Sequence, residues 1–269
     1  MEINAYAKIN LYLDSVGKRE DGYHELVTVM RQLSLCDKIN IEKADEITVT
    51  CDNENIPADE RNSAYKCAQK FFEHAGIKGG AKIEIEKHIP VESGLGGSSA
   101  DGAAVLIALN ELYETGFSKK ELADIGAQCG ADIPFCVMGK TALCTGIGEV
   151  MEKLPHLHMN IVIARGKNGV STGSAYQKID ALEIPHHLTA EEVREKYMWR
   201  TLPLYNIFEK ILPEDSEVFE IKKAFADMGQ YSLMTGSGSA VFGAFASDEA
   251  AKAASERLPG AILTHTEGK

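Results

Sequence analysis

The chain has 269 residues, 44% hydrophobic and 25% charged, enough apolar side chains to bury one large core or two moderate ones. Its formal net charge is −12 and no run of Lys/Arg marks a basic face, which speaks against a nucleic-acid partner and confines any phosphate site to backbone amides and a few lysines. The cysteines, at positions 36, 51, 67, 129, 136 and 144, form no C-x-x-C pair and no zinc spacing, so most read as small core residues of a reduced compartment.

Ala5, Ala7, Ile9, Leu11 and Leu13 alternate with Tyr6, Lys8, Asn10 and Tyr12, the pattern of a strand with one apolar face. This opening lacks the basic head and apolar run of a signal peptide, and no apolar stretch is long enough to span a bilayer. The expectation is a cytoplasmic protein with no membrane partner. The polar turn GKREDGYH follows, then ELVTVMRQLSL and DKINIEKADEITVTC as further strands. NSAYKCAQKFFEHAG has helical spacing, with Asn62 or Ser63 as N-cap and Gly76 as stop. AKIEIEKHIP alternates again and ends at Pro90. A glycine–serine segment and an apolar helix reach to about Gly116. SKKELADIGAQCG is a second helix, with Ser118 and Glu121 at capping-box spacing. ADIPFCVMGKTALCTGIGEVMEKL reads as a turn, a strand and a hairpin.

After LPHLHM the order is strand (NIVIARG), helix (STGSAYQKIDAL), a polar stretch over 185–200, helix (EDSEVFEIKKAFADMG), a strand–glycine turn–strand (YSLMTGSGSAVFGAFAS), helix (DEAAKAASERLPG) and strand (AILTHTE). That order predicts an α+β architecture, an antiparallel sheet with helices on one face, and two domains, 1–155 and 156–269.

Residues 90–105, PVESGLGGSSADGAAV, run directly into the apolar helix. A helix N-terminus offers unpaired N–H groups and a positive dipole end, glycines let a ligand approach the backbone, and serines add hydroxyls. Together these make an anion cradle, most naturally for phosphate; the plain alternative is a capped strand–helix connection. The segment is not G-x-x-x-x-G-K-[ST], and Ser99 occupies the last position of G-x-G-x-x-G.

PVESGLGGSSADGAA resembles the phosphate loop of the GHMP kinases, and AYAKINLYL and LMTGSGSAVFGAF resemble two further elements of that superfamily in the same order. Within it, AKINLYLDSVGKREDGYHELVTVM, CGADIPFCVMGKTALCTGIGE and GVSTGSAY are most similar to the branch acting on a cytidine-diphosphate-linked methylerythritol. The resemblance implies a two-domain GHMP kinase fold, each domain a mixed or antiparallel sheet packed with helices, with the active site in the cleft between them. It implies ATP and Mg²⁺, this small-molecule substrate, and a monomer or homodimer.

By the same resemblance, Gly94, Leu95, Gly96, Gly97, Ser98 and Ser99 wrap ATP, with Lys87 and Asn62 near it. Asp132 is the catalytic carboxylate and Lys8 its neighbour; taken alone they are a turn aspartate and a solvated strand lysine. Asn10, two residues from Lys8 on one strand face, bonds a substrate hydroxyl. Tyr23 stacks on cytosine, His24 hydrogen-bonds it, Tyr176 covers its other side and Thr172 contacts the substrate. Without the resemblance Tyr176 is a helix core residue and Thr172 a cap. Three departures stand out: across Gly96-Gly97-Ser98-Ser99-Ala100-Asp101 either one glycine of the family loop is lost and an alanine added or the serines shift by one, Glu92 is a carboxylate beside it, and NIFE (206–209) replaces NDLE. These leave two rivals: a homoserine- or mevalonate-type kinase, or a non-catalytic nucleotide- or metabolite-binding homologue.

Overall fold

A computed structural model of the chain describes residues 1–166, 172–182 and 185–266. In chain order its elements are β1 (Glu2–Lys18), β2 (His24–Ala44), β3 (Thr48–Cys51), α1 (Ser63–Ala75), β4 (Gly80–Glu86), α2 (Gly97–Leu112), α3 (Lys119–Ala127), α4 (Ile133–Met138), β5 (Thr141–Thr145) and β6 (Val150–Lys153). Then come β7 (Asn160–Arg165), α5 (Thr172–Leu182), α6 (Ala190–Met198), β8 (Tyr205–Asn206), a 3₁₀ turn over Ile207–Ile211, α7 (Glu217–Ala226), β9 (Ser232–Met234), β10 (Ala240–Phe245), α8 (Asp248–Arg257) and β11 (Ile262–His265). Among the described residues no helix is long and apolar enough to cross a membrane. The α+β class expected from the element order is the class found.

The chain forms two compact units, and the division falls inside both β1 and β2. The first unit takes residues 1–8, 35–91 and 96–139. In it the second half of β2 pairs antiparallel with β4, Ile41 opposite Ile83, and β3 pairs parallel with β4, Val49 opposite Ile83. Ile39, Ile41, Val49, Ile83 and Ile85 are buried, whereas Lys38, Asn40, Glu42 and Glu84 between them are exposed, so each strand shows a two-residue period. Helix α1 lies on β3 and β4 and packs against α2 and α3, and α4 fills the space beside α2 and α3.

Each helix has a local cause. Asn62 caps α1 through its side-chain oxygen, 2.8 Å from Ala64 N, and left-handed Gly76 ends it. Ser118 and Glu121 form the expected reciprocal capping box of α3. Helix α2 is buried almost all round, from Ala100 to Leu109, which is why its sequence shows little amphipathic period. Helix α4 replaces the expected turn. IPFCVM carries Pro134 in its first turn, where the missing N–H costs nothing, and is too short to reveal a 3.6-residue period.

The second unit takes residues 9–34, 92–95 and 140–269. The expected boundary after residue 155 therefore lies within it. Here the first half of β2 pairs with β5, Thr28 opposite Cys144, and β5 pairs with β6. The second half of β1 pairs in parallel with β8, Tyr12 opposite Tyr205. A separate antiparallel sheet has the order β11-β7-β10-β9. Val162, Ala164, Ile179, Phe208, Val218, Phe225, Val241 and Ala251 form the core of this unit, with Leu13 of β1 in the same cluster.

β1 departs from its alternation. Lys8, Asn10, Tyr12 and Asp14, on the face expected to be polar, are buried as well. In the second unit that burial is matched by partners. Asp14 accepts from the amides of Ser15 (2.9 Å) and His187 (2.6 Å), and Tyr12 stacks near His187 and Tyr205.

Candidate active site

In the first unit, three sequence-distant groups converge at the start of α2. Gly96, the residue before the helix, has φ 73°, and a Cβ there would lie 3.0 Å from the Cγ and Cε of Lys8. Lys8 is 4% exposed, and its ammonium lies 3.2 Å from Asp132 Oδ2. Asp132 stands at the N-cap position of α4, yet its carboxylate makes no capping bond, and its side chain keeps about a third of its surface open, 32%. The turn-or-cap role that an Asp before Ile-Pro ordinarily takes is thus not the one its side chain adopts.

The helix itself has amides to spare. Ala100 N donates to Gly96 O at 2.9 Å, and the amides of Gly97, Ser98 and Ser99 precede it with no acceptor inside the helix. Ser98 is exposed, with its hydroxyl 2.7 Å from that of Ser63 at the start of α1. Asn62 is spent locally, accepting from Ala64 N and donating to Pro57 O at 2.8 Å.

The Lys87 side chain is buried beside this helix. A Cβ on Gly97 would meet its Nζ at 3.3 Å. The ammonium pairs with Asp37 and, at 2.7 Å, with Asp101 Oδ2 in the second turn of α2. Asp37 Oδ1 also accepts from the amides of His88 (2.6 Å) and Ile89 (2.7 Å). Asp101 Oδ1 is buried with no hydrogen-bond partner. Burial works against the Lys87 ammonium, but the carboxylates of Asp101 and Asp37 outweigh it and hold Lys87 above the ordinary lysine value. Burial pushes the Asp101 carboxyl up to about 7 against the pull of Lys87, with Asp37 adding like-charge repulsion. Sequence reading missed Asp37 and Asp101; a carboxylate inside the apolar run of α2 was the available signal.

The second unit holds the rest of the loop. Gly94 has φ 79°, and a Cβ there would lie 2.1 Å from Thr235 O, so only glycine fits. Leu95 turns its side chain into the core at 0% exposure, and Ser93 O accepts from Ala240 N at 3.1 Å. Glu92 is exposed with φ 53°. Asn10 ties β1 to the late glycine turn. Its Nδ2 donates to Thr28 Oγ1 (2.8 Å), and its Oδ1 accepts from Gly236 N (3.1 Å). Asn206 of the NIFE segment holds the same turn through Met234 O (2.7 Å) and Gly236 O (2.8 Å).

The second unit also gathers an aromatic group. His24 stacks on Tyr176 with ring centroids 4.4 Å apart and planes 17° from parallel. Tyr176 meets Phe208 edge-on at 5.0 Å. The His24 Nε2 lies 2.6 Å from Asp180 Oδ1, and Lys18 Nζ lies 2.6 Å from Oδ2. The hydrogen bonds from Lys18 and His24 hold the Asp180 carboxyl below the usual aspartate value. Asp180 was not singled out in the sequence; it follows Tyr176 by one helical turn. Tyr23 is 59% exposed at the base of the preceding turn, its carbonyl accepting from Arg19 N at 2.7 Å. Thr172 is the first residue of α5, and its side chain lies outside the described residues, as do residues 169–171 of the GVSTGSAY segment.

Chemically, the first unit offers unspent amides and serine hydroxyls that suit phosphate oxygens, next to a carboxylate–ammonium pair that suits proton and charge handling. Among the described residues, no group of three or more His, Cys, Asp or Glu is placed to hold a metal.

Residues 62–140 match the family described as GHMP kinases N terminal domain. A 4-diphosphocytidyl-2-C-methyl-D-erythritol kinase from Caldicellulosiruptor bescii is 44% identical over 272 residues, spanning 96% of this chain and 94% of that protein. The enzyme of that name from Clostridium tetani is 44% identical over 254 residues, 91% of each chain. Among solved structures, a 4-(cytidine 5'-diphospho)-2C-methyl-D-erythritol kinase superposes with TM-score 0.84 at 33% identity, covering 100% of both chains. A homoserine kinase from Cytophaga hutchinsonii, at 19% identity and TM-score 0.70 over 97% of this chain and 94% of that one, shares the fold.

Proposed function

The chain belongs to the 4-diphosphocytidyl-2-C-methyl-D-erythritol kinase family of the GHMP kinases and is an ATP-dependent kinase, and from that membership we propose that its acceptor is the 2-hydroxyl of 4-diphosphocytidyl-2-C-methyl-D-erythritol. The observation that carries the reading is the Lys8–Asp132 pair, 3.2 Å apart, with the stem of Lys8 under Gly96 at the head of α2.

The amides of Gly97, Ser98 and Ser99 donate to phosphate oxygens of ATP, and the close-packed turn Gly94–Leu95–Gly96 leads the chain into them. The acceptor hydroxyl gives its proton to Asp132 as its oxygen bonds to the γ-phosphorus and the bond to the β-phosphate oxygen breaks, releasing ADP. Lys8 aims the carboxylate and offsets its charge as the anionic phosphoryl group arrives. Mg²⁺, when bound with ATP, would neutralise the β- and γ-phosphates, and the hydroxyls of Ser98 and Ser99 are the protein ligands on offer to it. Tyr23, His24 and Tyr176 recognise the cytosine, Thr172 contacts the substrate, and Asn10 acts through the Thr235–Gly236 turn that it holds. Lys87 and Asn62 support the nucleotide loop from beside it. The same membership supports a cytoplasmic enzyme, a monomer or homodimer, acting on a free metabolite.

The test is ADP release by the purified protein with ATP, Mg²⁺ and one of three alcohols: the cytidylyl substrate, mevalonate or homoserine. Turnover is expected with the first alone. No turnover with it, or faster turnover with either of the others, overturns the reading. Asp132→Asn is expected to lower kcat by about 10²–10⁴-fold with little change in KM. Near-normal turnover would remove Asp132 from proton transfer.

A further inference from the structure

Helix α5 brings two residues of one face to a single imidazole. Tyr176 and Asp180 are four residues apart; the first covers a face of the His24 ring, centroids 4.4 Å apart, and the second takes its Nε2 edge at 2.6 Å. Both holders are themselves held. Phe208 braces Tyr176 edge-on, and Lys18 at the end of β1 pairs with the other Asp180 oxygen at 2.6 Å. His24 opens β2 and its side chain is 8% exposed, so the ring is fixed in place and in rotation. The contact also fixes a proton. An aspartate paired with a lysine is ionised and can only accept, so Nε2 carries the hydrogen. The bonds from Lys18 and His24 hold that carboxyl below the usual aspartate value, which acts in the same sense. A neutral imidazole has one N–H, which leaves Nδ1 a lone pair. Among the described residues Nδ1 has no hydrogen-bond partner.

We propose that Asp180 is a positioning residue that sets base specificity: by holding the His24 proton on Nε2 it keeps Nδ1 an acceptor, which suits the exocyclic amine of cytosine and not the carbonyl oxygen that uracil carries at the same place. A uracil oxygen would set lone pair against lone pair, and a site built to accept from an N–H rejects the analogue that lacks it. Without Asp180 the ring can carry its hydrogen on either nitrogen, and turning to Nδ1–H it would donate to uracil as readily as it accepts from cytosine. Lys18 acts one step further out, by keeping the carboxylate ionised and aimed. The tautomer stands on these contacts alone; the base preference rests on the reading that His24 meets the cytosine.

The experiment begins with the full-length wild type, isotope-labelled at its histidine nitrogens and without substrate. Proton–nitrogen correlation spectra are expected to show hydrogen on His24 Nε2 and none on Nδ1; a proton on Nδ1 overturns the tautomer. ADP release is then measured with the cytidylyl substrate and with its uridylyl counterpart. The wild type is expected to favour the first by about 100-fold or more in kcat/KM. Asp180→Ala is expected to raise KM for the cytidylyl substrate about ten-fold with little change in kcat, and to cut the preference about ten-fold. Lys18→Met keeps the acceptor and is expected to keep the tautomer and most of the preference. The Lys18 and Asp180 side chains are 56% and 30% exposed, so both variants are expected to fold, checked by thermal melting. An unchanged preference in Asp180→Ala, or an equal loss in Lys18→Met, overturns the role of Asp180. A wild type that turns over both substrates alike overturns the base preference. One that turns over neither overturns the substrate reading itself, and the base preference falls with it, while the spectra still decide the tautomer.

Discussion

Lys87, Asp37 and Asp101 set one ammonium against two buried carboxylates beside the first turns of α2. Removing the cation leaves both acids uncompensated in a poorly solvated place. Lys87→Met is therefore expected to cost about 3–5 kcal/mol, read from urea unfolding. Asp101→Asn removes the surplus negative charge instead. The folded Asp101 carboxyl is pushed up to about 7, above an unfolded value of about 4, so between those values the folded state binds more protons. Stability from this group thus falls as pH rises from about 4 to about 7. The variant is expected to flatten that slope and to exceed the wild type at pH 8, measured as urea midpoints across the range. Lys87 acts in a different window: its folded value is raised, so its contribution is complete below the ordinary lysine value and is lost only as pH climbs through the folded one.

At the level of whole helices and strands, a cap and a cradle can be told apart. Ser118→Ala removes a capping box remote from the proposed chemistry and is expected to cost about 1 kcal/mol of stability while leaving kcat alone. Gly96→Ala forces a left-handed residue and crowds Lys8. It is expected to cost about 1–2 kcal/mol of stability and, out of proportion to that, to lower kcat by displacing the ammonium. Urea unfolding and ADP release on the two variants make the comparison. The elements readable beforehand were those whose cause is local: the caps at Asn62 and Ser118, the stop at Gly76 and the alternation of β4. The unreadable ones had distant causes. Asp37 looked like a break between two strands, yet β2 runs through it because the amides of His88 and Ile89 satisfy the buried carboxylate. The two-residue β8 exists only because β1 lies alongside it. The same holds for the site. Spacing marked the glycine loop as an anion cradle, but nothing near Lys8 or Asp132 in the sequence announces the other; only resemblance joined them. Asn62 was open to two readings, and its side chain makes the cap.

Over the whole chain, neither compact unit is a continuous segment. Residues 9–34 and 140–155 belong with the second unit, so a fragment of residues 156–269 lacks β8's partner strand and Leu13 from the core. It is expected to show no cooperative thermal transition by circular dichroism, whereas the full chain shows one; a sharp melt of the fragment would contradict this grouping. The pairing of Tyr12 with Tyr205 also bears on how a cell makes the protein. A ribosome releases Leu13 early and its core neighbours Phe208, Val218 and Phe225 only late in translation, so the nascent polypeptide must keep this apolar side chain out of the wrong company until they emerge. Refolding from denaturant is expected to be slower than for a domain built from local contacts, read by circular dichroism after dilution.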